Sequence, residues 1–202
     1  HERLVGSEMC IRDSYNNGLQ GGIAATAGTV YAIYSYNSNT GVLDIPFNTT
    51  ISNNTIVLTA GAGSASLYGI YHYYRGGSNS INSNNIKWAN TGLGTGTYAG
   101  IYYYYGHNTG GGLGLTSNCN NNIVGNCTIN NSTGTIYGVY MYGESQQTVN
   151  FHDNQMVNVI RNGVTSGTMY CLSPNYSVNY NVPGFTTNTV SYTHLTLPTT
   201  SR

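Results

Sequence analysis

A seven-residue word recurs along this chain, and its order relative to a second word never changes. The copies read VYAIYSY (Val30 to Tyr36), LYGIYHY (Leu67 to Tyr73), YAGIYYY (Tyr98 to Tyr104), IYGVYMY (Ile136 to Tyr142) and a degraded MYCLSPN (Met169 to Asn175). The central aliphatic residues Ile33, Ile70, Ile101, Val139 and Leu172 are separated by 37, 31, 38 and 33 residues. A recurrence of this length describes units that each need a neighbour to bury an apolar face, and this constrains the fold more than any other property of the chain.

The second word places two apolar residues five positions apart around a polar, Asn-bearing centre. It is read at Ile51 to Ile56 (ISNNTI), Ile81 to Ile86 (INSNNI), Val124 to Ile129 (VGNCTI) and Phe151 to Met156 (FHDNQM). A straight strand has a period of two, so this spacing suits a corner between two short strands. The intervening segments, among them TAGAGSAS, RGGSNS and GHNTGGGLGLTSN, are rich in Gly, Asn, Ser and Thr and read as loops. No stretch keeps a 3.6-residue apolar period, so almost no helix is expected.

The ends differ in texture from everything between them. HERLVGSEMCIRDS and TVSYTHLTLPTTSR carry six of the twelve charged residues. Glu8 to Ser14 back-translates to GAG ATG TGT ATA AGA GAC AGN, and Thr189 to Leu195 to NCT GTC TCT TAT ACA CAT CTN. These are the two strands of one DNA stretch, which resembles the transposase end of sequencing-library adaptors. Residues 1–14 and 189–202 are therefore read as translated adaptor, and residues 15–188 as an internal fragment of a longer repeat protein.

At this point the sequence resembles the right-handed parallel β-helix repeat family, the pectate-lyase-like superfold, over about residues 48–175. The resemblance implies an all-β, single-stranded right-handed parallel β-helix of about four to five coils with Gly/Asn-rich loops. Coils stacked at ~4.8 Å per layer would align equivalent side chains into ladders. Asn54, Asn84, Asn126 and Asn154 are expected to stack at one corner, with Ile56, Ile86, Ile129 and Met156 as one interior file. Ile33, Ile70, Ile101, Val139 and Leu172 form the other.

If Ile70 points inward, alternation sends its flanking tyrosines outward. Two columns are expected on one face, Tyr34, Tyr71, Tyr102 and Tyr140 beside Tyr36, Tyr73, Tyr104 and Tyr142. These eight are the candidate ligand-binding residues, since an exposed aromatic stripe suits sugar rings or another surface. The alternative is that they stack only to stabilise the sheet. Tyr68 and Tyr137 share the parity of the Ile file and are read as packing residues.

Catalytic chemistry has little to draw on. Between the ends remain Asp44, Glu144 and Asp153, Arg75, Lys87 and Arg161, and His72, His107 and His152. The acids fall on no common strand face, so no catalytic residue is assigned. His107, Cys119, Cys127 and His152 match no zinc spacing, and no metal or cofactor is assigned. Cys119 and Cys127 could instead be bridged across a loop. The glycine runs Gly92 to Gly96 and Gly110 to Gly114 lack the residues of a phosphate cradle. A formal net charge of zero argues against a nucleic-acid partner, and no apolar run approaches the ~20 residues that cross a bilayer.

The resemblance implies a secreted, adhesin-like bacterial surface protein of non-enzymatic role, with a polysaccharide or host or cell-surface glycan as partner. The alternative is a fragment of a carbohydrate-active β-helix enzyme, a lyase or glycoside hydrolase, whose catalytic coils lie outside these residues.

Overall fold

The structure, a computed structural model, describes residues 12–15, 18–23, 28–37, 48–60, 64–74, 78–90, 95–105, 116–130, 133–144, 148–162, 167–177 and 187–190. Within them the chain is strand and turn, with no helix.

The strands come in threes. They are β1 (Arg12–Tyr15), β2 (Gly18–Ile23), β3 (Thr29–Asn37), β4 (Thr49–Ser52), β5 (Thr55–Ala60), β6 (Ser66–Tyr74), β7 (Asn79–Asn82), β8 (Asn85–Asn90) and β9 (Tyr98–Tyr105). They continue as β10 (Thr116–Asn120), β11 (Ile123–Asn130), β12 (Ile136–Glu144), β13 (Thr148–His152), β14 (Gln155–Asn162), β15 (Met169–Ser177) and β16 (Thr187–Val190). Each strand pairs in parallel with the strand three places on. Three sheets result, ordered β1-β4-β7-β10-β13-β16, β2-β5-β8-β11-β14 and β3-β6-β9-β12-β15. A chain that visits three parallel sheets in rotation forms a β-helix-like solenoid.

The register places the aliphatic anchors of the first word in one file. Ile33 pairs with Ile70, Ile70 with Ile101, Ile101 with Val139 and Val139 with Leu172. Ile70 and Ile101 are wholly buried. Beside them run Leu67, Tyr98 and Ile136, also buried, and the file Ser35, His72, Tyr103 and Met141. The opposing walls are Ile51, Ile81, Cys119 and Phe151 from the first sheet and Ile56, Ile86, Val124 and Met156 from the second. At ~1.5–3 kcal/mol for each fully buried large apolar side chain, these files carry the stability of the stack.

The corner between the first two sheets corrects the sequence reading in its third copy. Cys119 pairs with Ile81 and Phe151, and Val124 with Ile86 and Met156, so the third corner is CNNNIV (Cys119 to Val124). Its ladder residue is Asn122, not Asn126, and its apolar partner is Val124, not Ile129. Ile129 pairs instead with Arg161. Both segments satisfy the template, but only the first keeps step with the tyrosine word. Successive corner asparagines then lie 30, 38 and 32 residues apart.

The corner itself is made by the residue before each ladder Asn. Asn53, Ser83, Asn121 and Asp153 have φ of 58°, 58°, 56° and 54°, the left-handed region that Asn and Asp enter most readily among residues with a side chain. This turn points the next side chain inward, where Asn54, Asn84, Asn122 and Asn154 are all buried. Asn84 Nδ2 donates to Asn122 Oδ1 at 2.9 Å and to Ile51 O at 2.9 Å. Asn122 Nδ2 repeats this to Asn154 Oδ1 and Ile81 O, each at 2.8 Å. Each amide thus saturates the backbone that the corner takes out of the ladders, as a buried polar group must.

Cys119 is a free, buried thiol in the interior file of the first sheet, so the bridge to Cys127 is not formed. Its partner in that reading lies on β11, in a different sheet. Burial pushes the Cys119 thiol far above its ordinary pKa. Asp44, Arg75, His107 and most of the terminal segments, residues 1–11 and 191–202, lie outside the described residues. Arg12 to Ser14 and Thr189 to Val190 belong to β1 and β16, which pair through main chain with β4 and β13.

Candidate functional site

The third sheet turns one side to the core and the other outward. In β6, Leu67, Ile70 and His72 are buried, while Tyr68, Tyr71 and Tyr73 lie on the opposite side, each partly exposed. Alternation from Ile70 onward places Tyr71 and Tyr73 as expected. Upstream it fails, because Gly69 is buried next to the inward Ile70, so two consecutive residues face the core and the parity shifts by one. Gly100 and Gly138 take the same place in β9 and β12. A Cβ on Gly69 would lie 2.6 Å from the carbonyl oxygen of Gly100 and 2.6 Å from Ile86 Cγ2, so the coil closes onto the second sheet only where a side chain is missing.

Two tyrosine columns therefore stand where the sequence reading put them. The inner column is Tyr34, Tyr71, Tyr102 and Tyr140, with ring centroids 5.4, 5.0 and 4.8 Å apart. The outer column is Tyr36, Tyr73, Tyr104 and Tyr142, at 4.7, 4.7 and 5.1 Å. Tyr34 and Tyr36 are 53% and 48% exposed and Tyr142 is 40% exposed; the others are half-buried.

A third column was missed. Tyr31 stacks on Tyr68 at 5.3 Å and Tyr137 on Tyr170 at 5.3 Å, with Ala99 holding the place between the pairs. Tyr68 and Tyr137 thus belong to the outward face and not to the interior file, because the parity shift at Gly69 and Gly138 reverses them. The sequence signal was the Ala or Gly that follows this tyrosine in three of its four copies, Ala32, Gly69 and Gly138. Tyr68 meets Tyr71 and Tyr102 edge-on, both at 89°, which ties the third column to the inner one.

Ring orientation decides what the face offers. Within the columns most neighbours are nearly parallel, at 5° for Tyr71 and Tyr102 and 12° for Tyr73 and Tyr104. The ring faces are then occupied by one another, and edges and phenol oxygens are what a ligand meets along the column. Burial raises the pKa of Tyr71 to about 12, helped by the phenols of Tyr31 and Tyr34, and pushes Tyr102 and Tyr68 up for the same reasons. These hydroxyls stay protonated at neutral pH and can both donate and accept.

Among the described residues outside this face, two histidines are held by side-chain partners. His72 is fully buried, donates its Nε2–H to Asn79 Oδ1 at 3.1 Å, and is held down at about pKa 4 by burial. His152 Nδ1 lies 2.8 Å from Asp153 Oδ2 at the corner, on the outside. Among the described residues no three His, Cys, Asp or Glu side chains converge. The chain matches no protein-family model, and no curated protein or solved structure shows significant similarity to it.

Proposed function

We propose that this chain is a stretch of a secreted, adhesin-like bacterial surface protein that presents its tyrosine face to an extended neutral polysaccharide or a cell-surface glycan. The observation that carries this reading is the unbroken run of outward tyrosines across β3, β6, β9 and β12. A rigid column of phenols repeating at the coil spacing suits a long, hydroxyl-bearing chain laid along the solenoid axis, where each layer adds one set of hydrogen bonds. The absence of formal net charge favours a neutral partner over an acidic one or a nucleic acid.

In this reading the winding is right-handed, the hand that crossovers between parallel strands of one sheet adopt almost without exception, and about four to five coils stack in the manner of the pectate-lyase-like superfold. The role is non-enzymatic.

Glycan-array and polysaccharide-retardation binding by the chain, beside a Tyr71→Ala, Tyr102→Ala, Tyr140→Ala triple variant, tests the proposal. Binding that the triple variant loses while keeping its β circular dichroism supports it. Equal binding by both, or no binding to any neutral glycan, overturns it.

A further inference from the structure

The outer column has a geometry that the glycan reading does not use. Tyr36 pairs in register with Tyr73, Tyr73 with Tyr104 and Tyr104 with Tyr142, so each phenol faces its counterpart one coil away. The rings are 4.7, 4.7 and 5.1 Å apart and tilted by 14°, 12° and 28°. In-register parallel strands and nearly parallel rings bring facing phenols within one coil spacing of each other along the whole column. Tyr36 and Tyr142 are 48% and 40% exposed, so the column is open to a diffusing reagent at both ends.

We propose that the outer column is a site of oxidative cross-linking, in which register-paired tyrosines join as dityrosine and staple neighbouring coils. The oxidant is a diffusible one-electron oxidant, of the kind a haem peroxidase produces from peroxide. It removes one electron from each of two phenols, and each phenol releases its hydroxyl proton. The two phenoxyl radicals form one carbon–carbon bond between ortho carbons. Each joined carbon then loses its hydrogen as a proton while the oxygens regain theirs. The net change is one new bond and the loss of two electrons and two protons.

The inner column is the poorer site. Tyr71 and Tyr102 are held in their protonated form by burial and by neighbouring phenols, which opposes the proton loss that accompanies oxidation. Tyr102 and Tyr140 are also more inclined, at 36°. Each staple in the outer column would join residues 37, 31 or 38 positions apart, and a link that closes such loops restrains the unfolded chain.

The test treats dilute protein with a haem peroxidase and hydrogen peroxide, then reads dityrosine fluorescence, monomer content on denaturing gels and cross-linked peptides by mass spectrometry. The expected product is a monomer lighter by two hydrogens per bond. Its linked peptides join β3 to β6, β6 to β9 or β9 to β12 through the outer column, and its melting temperature is raised. In the Tyr73→Phe, Tyr104→Phe double variant these linked peptides disappear, although the rings and the fold remain. Links scattered without regard to register, links mainly between molecules, or a yield unchanged in the double variant each overturn the proposal.

Discussion

Asn84 and Asn122 are 38 positions apart in the chain, yet the amide of the first donates to the side-chain oxygen of the second at 2.9 Å. The same oxygen accepts the backbone N–H of Asn84 at 3.0 Å. Asn122 in turn treats Asn154 in this way, through its side chain at 2.8 Å and its backbone at 3.2 Å. The corner is thus one continuous buried chain of amides, and removing any member leaves donors and acceptors on both sides without partners.

Asn122→Ala is expected to cost about 2–4 kcal/mol, because it removes the buried acceptor shared by the backbone N–H and one Nδ2 hydrogen of Asn84, and the side-chain donor to the carbonyl of Ile81. Asn126→Ala should cost only about 1–2 kcal/mol, chiefly from holding Ala in the left-handed backbone at φ 51°, since that side chain is exposed and bonds only sideways to Asn158 among the described contacts. Urea unfolding of the two variants side by side decides the register of the third corner. A larger loss for Asn126→Ala would place the ladder where the structure does not.

Stability should fall on acidification because of His72. Its pKa is 6.5 when unfolded and about 4 when folded, lowered chiefly by burial. Above pH 6.5 both states are neutral at this site and nothing is lost. Between pH 6.5 and 4 the unfolded chain takes up a proton that the folded one refuses, so stability drops by ~1.4 kcal/mol per pH unit, reaching ~3 kcal/mol. His72→Gln keeps a donor for Asn79 and does not titrate. Its unfolding free energy should show a shallower slope over this window, and an unchanged slope would assign the pH dependence elsewhere.

Gly100→Ala is expected to destabilise by about 1–3 kcal/mol or more through overpacking. The added methyl would lie 2.6 Å from the carbonyl oxygen of Gly138 and collide with Val124 Cγ2. Trimming the side chain in the double variant Gly100→Ala, Val124→Ala should not restore stability, because the carbonyl remains. A thermal melt within a degree or two of the parent would contradict the close approach of the two sheets.

Trp88 is the only tryptophan, is 1% exposed, and its Nε1 has no hydrogen-bond partner among the described residues. Trp88→Phe therefore loses packing but no protein hydrogen bond, while Trp88→Ala should cost about 3–5 kcal/mol through cavity formation. Native emission is expected at short wavelength, shifting red in one step with unfolding. Red emission in the folded protein would put Trp88 at the surface.

Much of this was legible in the residues. The file of Ile70, Ile101 and Val139 could be read because the tyrosine word is short, repeated and locally two-periodic. The same parity places His72 inside and Tyr71 and Tyr73 outside. Asn122 was missed because CNNNIV and VGNCTI both fit one corner template. Spacing alone separates them, since Asn84 to Asn122 is 38 residues, matching Ile101 to Val139, whereas Asn84 to Asn126 would be 42. Tyr68 and Tyr137 were misplaced by carrying alternation through Gly69 and Gly138, where the backbone abandons it. The tilt of the rings lay beyond any sequence reading, because it is set by contacts between residues one coil apart.

The spacing between anchors varies from 31 to 38 residues, yet the paired strands stay in register. A gene encoding such a molecule can gain or lose a whole winding by unequal recombination without disturbing the cross-section that the remaining windings share. What changes is reach: the tyrosine front lengthens or shortens in increments of one strand spacing, as a ruler does by the notch.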